Sequence, residues 1–306
     1  MKRACIFLCV GFFFVFQAAA QSAHFKYAVI PENPRPGEPV TIGVNDTVKQ
    51  AVLFANEKQL AKAAFFSVSL PEGMPGFMAA ILTVPSTASP GAYTIKLEND
   101  SVLICEIPLT ITEREFVSEV IELNSDLTAI RTEPDPQKTA EANRLWAILA
   151  RTGNEVYFSG KFIPPVSSTR RTSFFGDRRG FKYSNGKSDT SIHAGVDYGV
   201  PTGTRVLACG SGKVLLARGR IVTGNSVVIE HAPGIYSLYY HLDKIEVKEN
   251  AMVTAGDLLG LSGATGLATG PHLHWEIRVS TENTDPDAFV GRSIIDKDLI
   301  LSKIYR

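Results

Sequence analysis

Apolar and polar positions alternate with a period of two through much of the first third of the chain. In Ala92-Tyr93-Thr94-Ile95-Lys96-Leu97, the Tyr, Ile and Leu fall on one side and the Ala, Thr and Lys on the other, as in a half-buried strand. Pro39 to Val44 and Ser101 to Thr112 are further β-rich runs. Between such runs lie turn clusters, Pro31-Glu32-Asn33-Pro34-Arg35-Pro36-Gly37 and Ser89-Pro90-Gly91. Short strands at this spacing predict a small β-sandwich-like domain over residues 21–112. It holds one histidine, His24, and no motif that carries chemistry, so its expected role is binding, spacing or shielding.

The period changes after Glu113. Val117, Val120, Ile121 and Leu123 follow a helix-like spacing, which Glu133-Pro134-Asp135-Pro136 interrupts. A second amphipathic stretch, Thr139 to Ala150, puts Ala142, Leu145, Trp146 and Leu149 on one face. These stripes predict a helical connector over 113–158 and argue against a disordered linker. From Phe162 onward glycines punctuate β-branched runs. Val227–His231, then Ala-Pro-Gly, then Ile235–His241 reads as a hairpin. The second domain, 159–306, is therefore expected to be mostly antiparallel β, with a helical C-terminal tail from Ser293 to Tyr305. The fold class is mainly β.

Composition narrows the function. A chain of 306 residues with 44% hydrophobic and 20% charged residues is globular and long enough for two cores. Lys+Arg equals Asp+Glu at 31 each, and the missing basic surplus excludes nucleic acid as the main partner. Residues 1–20 read as a signal peptide: Lys2 and Arg3, an apolar core from Ala4 to Phe16, then Ala18-Ala19-Ala20. Its removal predicts a mature net charge of about −2 and an exported protein with no membrane span, since no later apolar run reaches ~18 residues. Cys5 and Cys9 sit too early for a lipid-attachment site. Cys105 and Cys209 read as buried thiols on separate strands rather than as a disulfide between the halves.

Five of the six histidines fall between positions 193 and 274. His193-Ala194-Gly195-Val196-Asp197, if extended, puts an imidazole and a carboxylate on one strand face with the space at Gly195 between them. His272-Leu273-His274-Trp275-Glu276 alternates strictly. His272, His274 and Glu276 face one way, and Leu273, Trp275 and Ile277 face a core. Tyr239 and His241 share a face at the end of the hairpin. Two imidazoles, one carboxylate and an open water position suit a catalytic zinc site, and two further histidines suit acid–base work. A structural zinc site lacks thiolates here. An iron triad or purely structural histidines account for fewer of these residues. His231, beside the turn, reads as structural or exposed.

At these residues the sequence resembles the lysostaphin-like (LytM-type) zinc metallopeptidases, which cut the peptides of bacterial peptidoglycan. The resemblance covers about 160–290. It includes Phe174-Phe175-Gly176-Asp177-Arg178-Arg179, His193 to Asp197, Pro201-Thr202-Gly203-Thr204, Gly210-Ser211-Gly212, Gly224-Asn225, Tyr240-His241-Leu242 and Gly263 to His274. It implies a compact antiparallel sheet crossed by a groove. It also implies His193, Asp197 and His274 as zinc ligands and His241 and His272 as the catalytic pair. The substrate implied is peptidoglycan cross-links or stem peptides, at a periplasmic, cell-envelope or secreted location. The front half resembles the region that precedes this domain in some family members, so regulation by the N-terminal domain is expected. Glu276 is left as a structural group, and Arg170, Arg171, Arg178 and Arg179 as solvated charge rather than receptors for peptide carboxylates. The alternative is a wall-binding regulatory protein that activates another cell-wall hydrolase. A weaker one is a peptidase for other Gly-rich proteins.

Overall fold

Eight short strands follow from the alternating front third: β1 (Tyr27–Ile30), β2 (Pro39–Val44), β3 (Gln50–Ala55), β4 (Lys58–Ala64), β5 (Phe66–Val68), β6 (Phe77–Thr83), β7 (Gly91–Asn99) and β8 (Val102–Ile111). The computed structural model describes residues 25–151, 153 and 155–305, so the predicted signal peptide lies outside the described residues. The strands form two antiparallel four-stranded sheets, β1-β2-β6-β5 and β4-β3-β7-β8. Ile42, Leu53, Leu82, Ile95 and Leu97 meet in the core between them. Burying each such side chain contributes roughly 1.5–3 kcal/mol.

The first sheet is buried on its other face as well. Ala28, Phe66, Val68, Ala79 and Ile81 join a cluster of the second domain that includes Ile300 and Ile304. Gly43 lies so close to Ile300 that a side chain there would collide with it. A 2.8 Å ion pair between Arg114 and Asp285, both largely shielded from water, closes the same junction.

The connector is helical as predicted over its second half and departs from that form at its start. Ser118–Glu122 is a strand, β9, and runs parallel to β11 (Arg178–Lys182). Helix-like spacing misleads here because Val117 and Val120 are exposed, at 62% and 63%, and define no buried stripe. Helix α1 (Ser125–Thr132) follows, with the Asn124 side chain accepting from the Leu127 N–H. The Pro-containing break is itself a helix start: Asp135 caps α2 (Pro136–Leu149), and Pro136 takes its first turn. Leu145, Ile148 and Leu149 pack on Leu216, Tyr236 and Leu238. Trp146, expected on that face, is 53% exposed.

In the second domain, β10 (Arg171–Ser173), β11 and β12 (Ser188–Ile192) come first. Then follow β13 (Val196–Tyr198), β14 (Arg205–Leu207), β15 (Gly212–Arg218), β16 (Asn225–Ala232) and β17 (Ile235–Ile245). The last strands are β18 (Met252–Val253), β19 (Leu258–Ser262), β20 (Leu273–Val279) and β21 (Glu282–Thr284), and helix α3 (Lys297–Ile304) follows them. The main sheet runs β10-β13-β20-β17-β16-β15-β18, with every pair antiparallel. The β16–β17 hairpin turns at Pro233-Gly234, where Gly234 takes a positive φ of 74°. A separate sheet, β12-β11-β9, stands beside it. Cys105 and Cys209 are both buried, in different clusters. Among the described residues no helix is long and apolar enough to cross a membrane.

His231 is fully buried in the hairpin core. Its Nδ1 donates to the Ser211 carbonyl, and its Nε2 meets the Ser237 hydroxyl at 2.8 Å. Burial pushes its pKa down to about 4. The folded state therefore favours neutral imidazole, and the stability this contributes is present above pH ~6.5 and lost as pH falls toward 4, about 3 kcal/mol in all. Urea midpoints measured at pH 7.5 and 4.5 are expected to differ less in His231→Gln than in the unaltered protein. Equal differences would show that His231 is not the group responsible.

Candidate active site

Antiparallel pairing of β13 with β20 sets Asp197 directly opposite His274, which brings their side chains within reach of each other. His193 comes from the turn before β13, not from the strand itself. Its N–H donates to the Asp177 carbonyl at 2.8 Å, and its carbonyl accepts from Gly176 N–H at 2.9 Å. Gly195 does not leave open space between two ligands, as an extended segment would. It lies against the Trp275 carbonyl and the Glu276 side chain, where a Cβ would collide with both. That close approach is what brings His193 down to the β20 surface. Strict alternation along β20 holds as expected, with Leu273, Trp275 and Ile277 fully buried beneath.

Three candidate ligand atoms converge. His193 Nε2 is 3.1 Å from Asp197 Oδ1 and 3.0 Å from His274 Nδ1, and His274 Nδ1 is 2.7 Å from Asp197 Oδ1. Tetrahedral zinc with bonds of ~2.0–2.1 Å needs ligand atoms about 3.3 Å apart, so a small expansion admits the ion. The outward atoms are also committed. His193 Nδ1 donates to the Phe174 carbonyl at 2.8 Å. His274 Nε2 faces Glu276 Oε1 at 3.0 Å, and Glu276 Oε2 accepts from Arg278 at 2.7 Å. Asp197 Oδ2 accepts from Arg179 Nη2 at 2.6 Å. Such outer partners fix the ring orientation and aim the inward nitrogens at the cluster.

The acidic partners favour a proton on His274 Nδ1, which a cation bound there would displace. Burial opposes ionisation of Asp197, but the imidazoles of His274 and His193 outweigh it and hold the carboxyl well below its usual range. Burial likewise disfavours a charged His274, yet Asp197 and Glu276 lift it to about 9. Burial raises and Arg278 with His274 lower Glu276, to about 2.

His241 and His272 stand beside this cluster, their rings 4.8 Å apart. His241 has φ 61°, at a bulge where the register between β16 and β17 slips. Its Nδ1 donates to the Thr265 carbonyl at 2.7 Å, and His272 Nδ1 donates to the Gly270 carbonyl at 2.8 Å. Each Nε2 therefore carries a lone pair, and that of His272 is 3.9 Å from Asp197 Oδ1. Burial pushes His241 down to about 3 and lowers His272 as well, so both are neutral at pH 7. The bulge overturns one expectation: Tyr239 turns into the core, and Tyr240 joins the site, stacked on His274 at 5.5 Å.

These residues line a cleft of about 380 Å³. Its walls include residues that sequence reasoning missed: Ile121, Leu123 and Arg131 of the connector, and Arg179 and Phe181 of β11. Leu267, which also lines the cleft, packs against the Leu123–Phe181–Tyr183 cluster. Alternation along β11 signals which residues face inward, but only once the partner strand is known. Nor are the arginines simple solvated charge. Arg171 lies over the Tyr198 ring and pairs with Asp287, and Arg178 donates to the Gly176 and Ser86 carbonyls.

An antiparallel β domain carrying two imidazoles, one carboxylate and two neutral histidines along a cleft has the donor set of a metallohydrolase. Residues 191–286 match the sequence profile of Peptidase family M23. It is 34% identical over 170 residues to peptidoglycan DD-endopeptidase ShyA of Vibrio cholerae, covering 55% of this chain and 39% of that one. It is 36% identical over 124 residues to DD-carboxypeptidase/endopeptidase Mpg of Neisseria meningitidis, covering 40% of this chain and 28% of that one. The chain thus spans well under two thirds of the length of these relatives. A solved peptidase M23 structure from Pseudomonas aeruginosa shares the fold over 85% of this chain and 96% of its own, with a TM-score of 0.60 and 24% identity.

Proposed function

We propose that this protein is an exported, zinc-dependent endopeptidase that hydrolyses peptide cross-links or stem peptides of bacterial peptidoglycan. The observation that carries the reading is the convergence of His193 Nε2, Asp197 Oδ1 and His274 Nδ1 beside two histidines whose Nε2 atoms are free to take a proton. The names of the relatives support the substrate class, and the signal-like residues 1–20 support export to the envelope. His193, Asp197 and His274 would hold the zinc. Bound there, zinc supplies Lewis-acid polarisation of a carbonyl and acidification of water. In this reading Nε2 of His241 or His272 takes the proton of the attacking water, and the imidazolium so formed hydrogen-bonds the developing oxyanion and returns the proton to the leaving amine. The cleft wall aligns the peptide over them.

The connector, and with it the front domain, is proposed to restrict entry to the cleft, since Leu267 of the cleft lining packs against the cluster that holds Leu123. The test is zinc content together with release of muropeptides from purified peptidoglycan, before and after chelation. One zinc per chain and cleavage lost with the metal are expected, with Leu267→Ser releasing fragments faster. Zinc without cleavage in either form would favour the regulatory protein, and no zinc would sink the metallopeptidase reading.

A further inference from the structure

We propose that Glu119, a connector residue, is a positioning residue for the metal cluster, acting through Arg179 on Asp197 and through Ser173 on His193. The inference rests on the reading of His193, Asp197 and His274 as ligands. Glu119 and Arg179 both lie outside residues 191–286, the segment that matches the family profile.

Parallel pairing of β9 with β11 sets Glu119 level with Arg179. Ile121, Arg179, Phe181 and Ser191 of the small sheet line the cleft, and the alternating residues Val120 and Lys182 are exposed. Within that frame, Arg179 Nε donates to Glu119 Oε1 at 2.7 Å while Nη2 donates to Asp197 Oδ2 at 2.6 Å. The guanidinium is a rigid plane, so fixing one edge fixes the other. Asp197 has two carboxylate oxygens, and the one held by Arg179 leaves Oδ1 aimed at His193 and His274. The Ser173 hydroxyl, shared between Glu119 Oε1 and Asp177 Oδ2 at 3.0 Å each, lies 3.2 Å from His193 Nδ1, which brings Glu119 within one residue of the second ligand.

Charge works in the same direction as orientation. Arg179 is only 16% exposed, and without Glu119 its cation would bear on Asp197 alone. It would then compete with a metal cation for that carboxylate. Glu119 neutralises the guanidinium from the side away from the cluster. Bonds between ionised groups are about twice as strong as neutral ones, so the chain from carboxylate to guanidinium to carboxylate is firmer than any neutral substitute. Thus the strand that joins the two domains is itself part of the metal site.

The experiment is a zinc titration of the whole protein against a chromophoric chelator, with cobalt(II) spectra of the same samples. Glu119→Ala is expected to raise the zinc dissociation constant about 10–100-fold and to alter the cobalt absorption bands. Glu119→Gln keeps an acceptor oxygen but no charge and is expected to fall between. Glu122→Gln, on the exposed face of the same strand, serves as the control for strand integrity. The melting temperature of the metal-free proteins reports folding, and Glu119→Gln is expected to leave it nearly unchanged. Zinc constants and cobalt spectra within twofold of the unaltered protein in Glu119→Ala would overturn the proposal. So would equal weakening by the Glu122 variant. The ligand reading is checked separately by His193→Ala, which must lose zinc that the unaltered protein binds. If the unaltered protein binds none, both fall together.

Discussion

Asp197→Ala is expected to lose bound zinc and to lower muropeptide release at least about 1000-fold. Asp197 is the only anion among the three proposed ligands, and its Oδ1 touches both imidazoles, at 3.1 and 2.7 Å. Its removal leaves the Arg179 guanidinium, 16% exposed, beside the site with no carboxylate on that edge. A unit charge about 4 Å from another, at an effective dielectric near 20, is worth ~4 kcal/mol, and the attraction of the Asp197 carboxylate for a bound cation is lost with it. Every ~1.4 kcal/mol is a factor of ten, so this alone reaches three orders of magnitude. Asp197→Asn separates the two contributions, because it keeps the shape and removes the charge. Zinc per chain and fragment release are measured on the same preparations. Stoichiometric zinc in either variant, with cleavage retained, would remove Asp197 from the site.

How much of this site is legible in the sequence depends on how local its cause is. The alternation His272-Leu273-His274-Trp275-Glu276 is enforced by one strand and one core, so the two faces of β20 follow from the residue pattern alone. His193 and Asp197 are legible as a pair, but the turn that joins them is not. Gly195 serves a backbone approach to β20, which only tertiary structure reveals. Tyr239 and Tyr240 exchange their expected roles because a bulge at His241 shifts the period by one, and a single positive φ leaves no mark in a residue pattern. The connector is the largest departure. Val117, Val120, Ile121 and Leu123 fit a helical spacing, yet β9 owes its form to backbone pairing with β11, some sixty residues onward. Non-local pairing of that kind also hides Glu119, Arg179 and the connector wall of the cleft. Their alternation has no assigned face until the partner strand is known.

Replacing either neutral histidine is the second large effect. His241→Ala and His272→Ala are each expected to reduce kcat by about 10²–10⁴-fold, the usual range for a positioned acid–base group. Zinc content should stay near that of the unaltered protein. The distinction from a ligand variant is geometric. Both Nδ1 atoms are spent on backbone carbonyls, of Thr265 and Gly270, and neither His is needed to complete the His193–Asp197–His274 triangle. Loss of kcat with retained metal therefore separates proton transfer from metal binding. Because the rings are 4.8 Å apart and share one cleft, the two histidines should act as a unit. The double variant is then expected to be little worse than the more damaging single one, as is usual when one step needs both groups. Additive losses would mean that they serve separate steps. Unchanged turnover in one single variant would assign that histidine to the walls of the cleft. Measuring kcat and KM separately completes the test, since a His that only holds the peptide in place raises KM and leaves kcat alone.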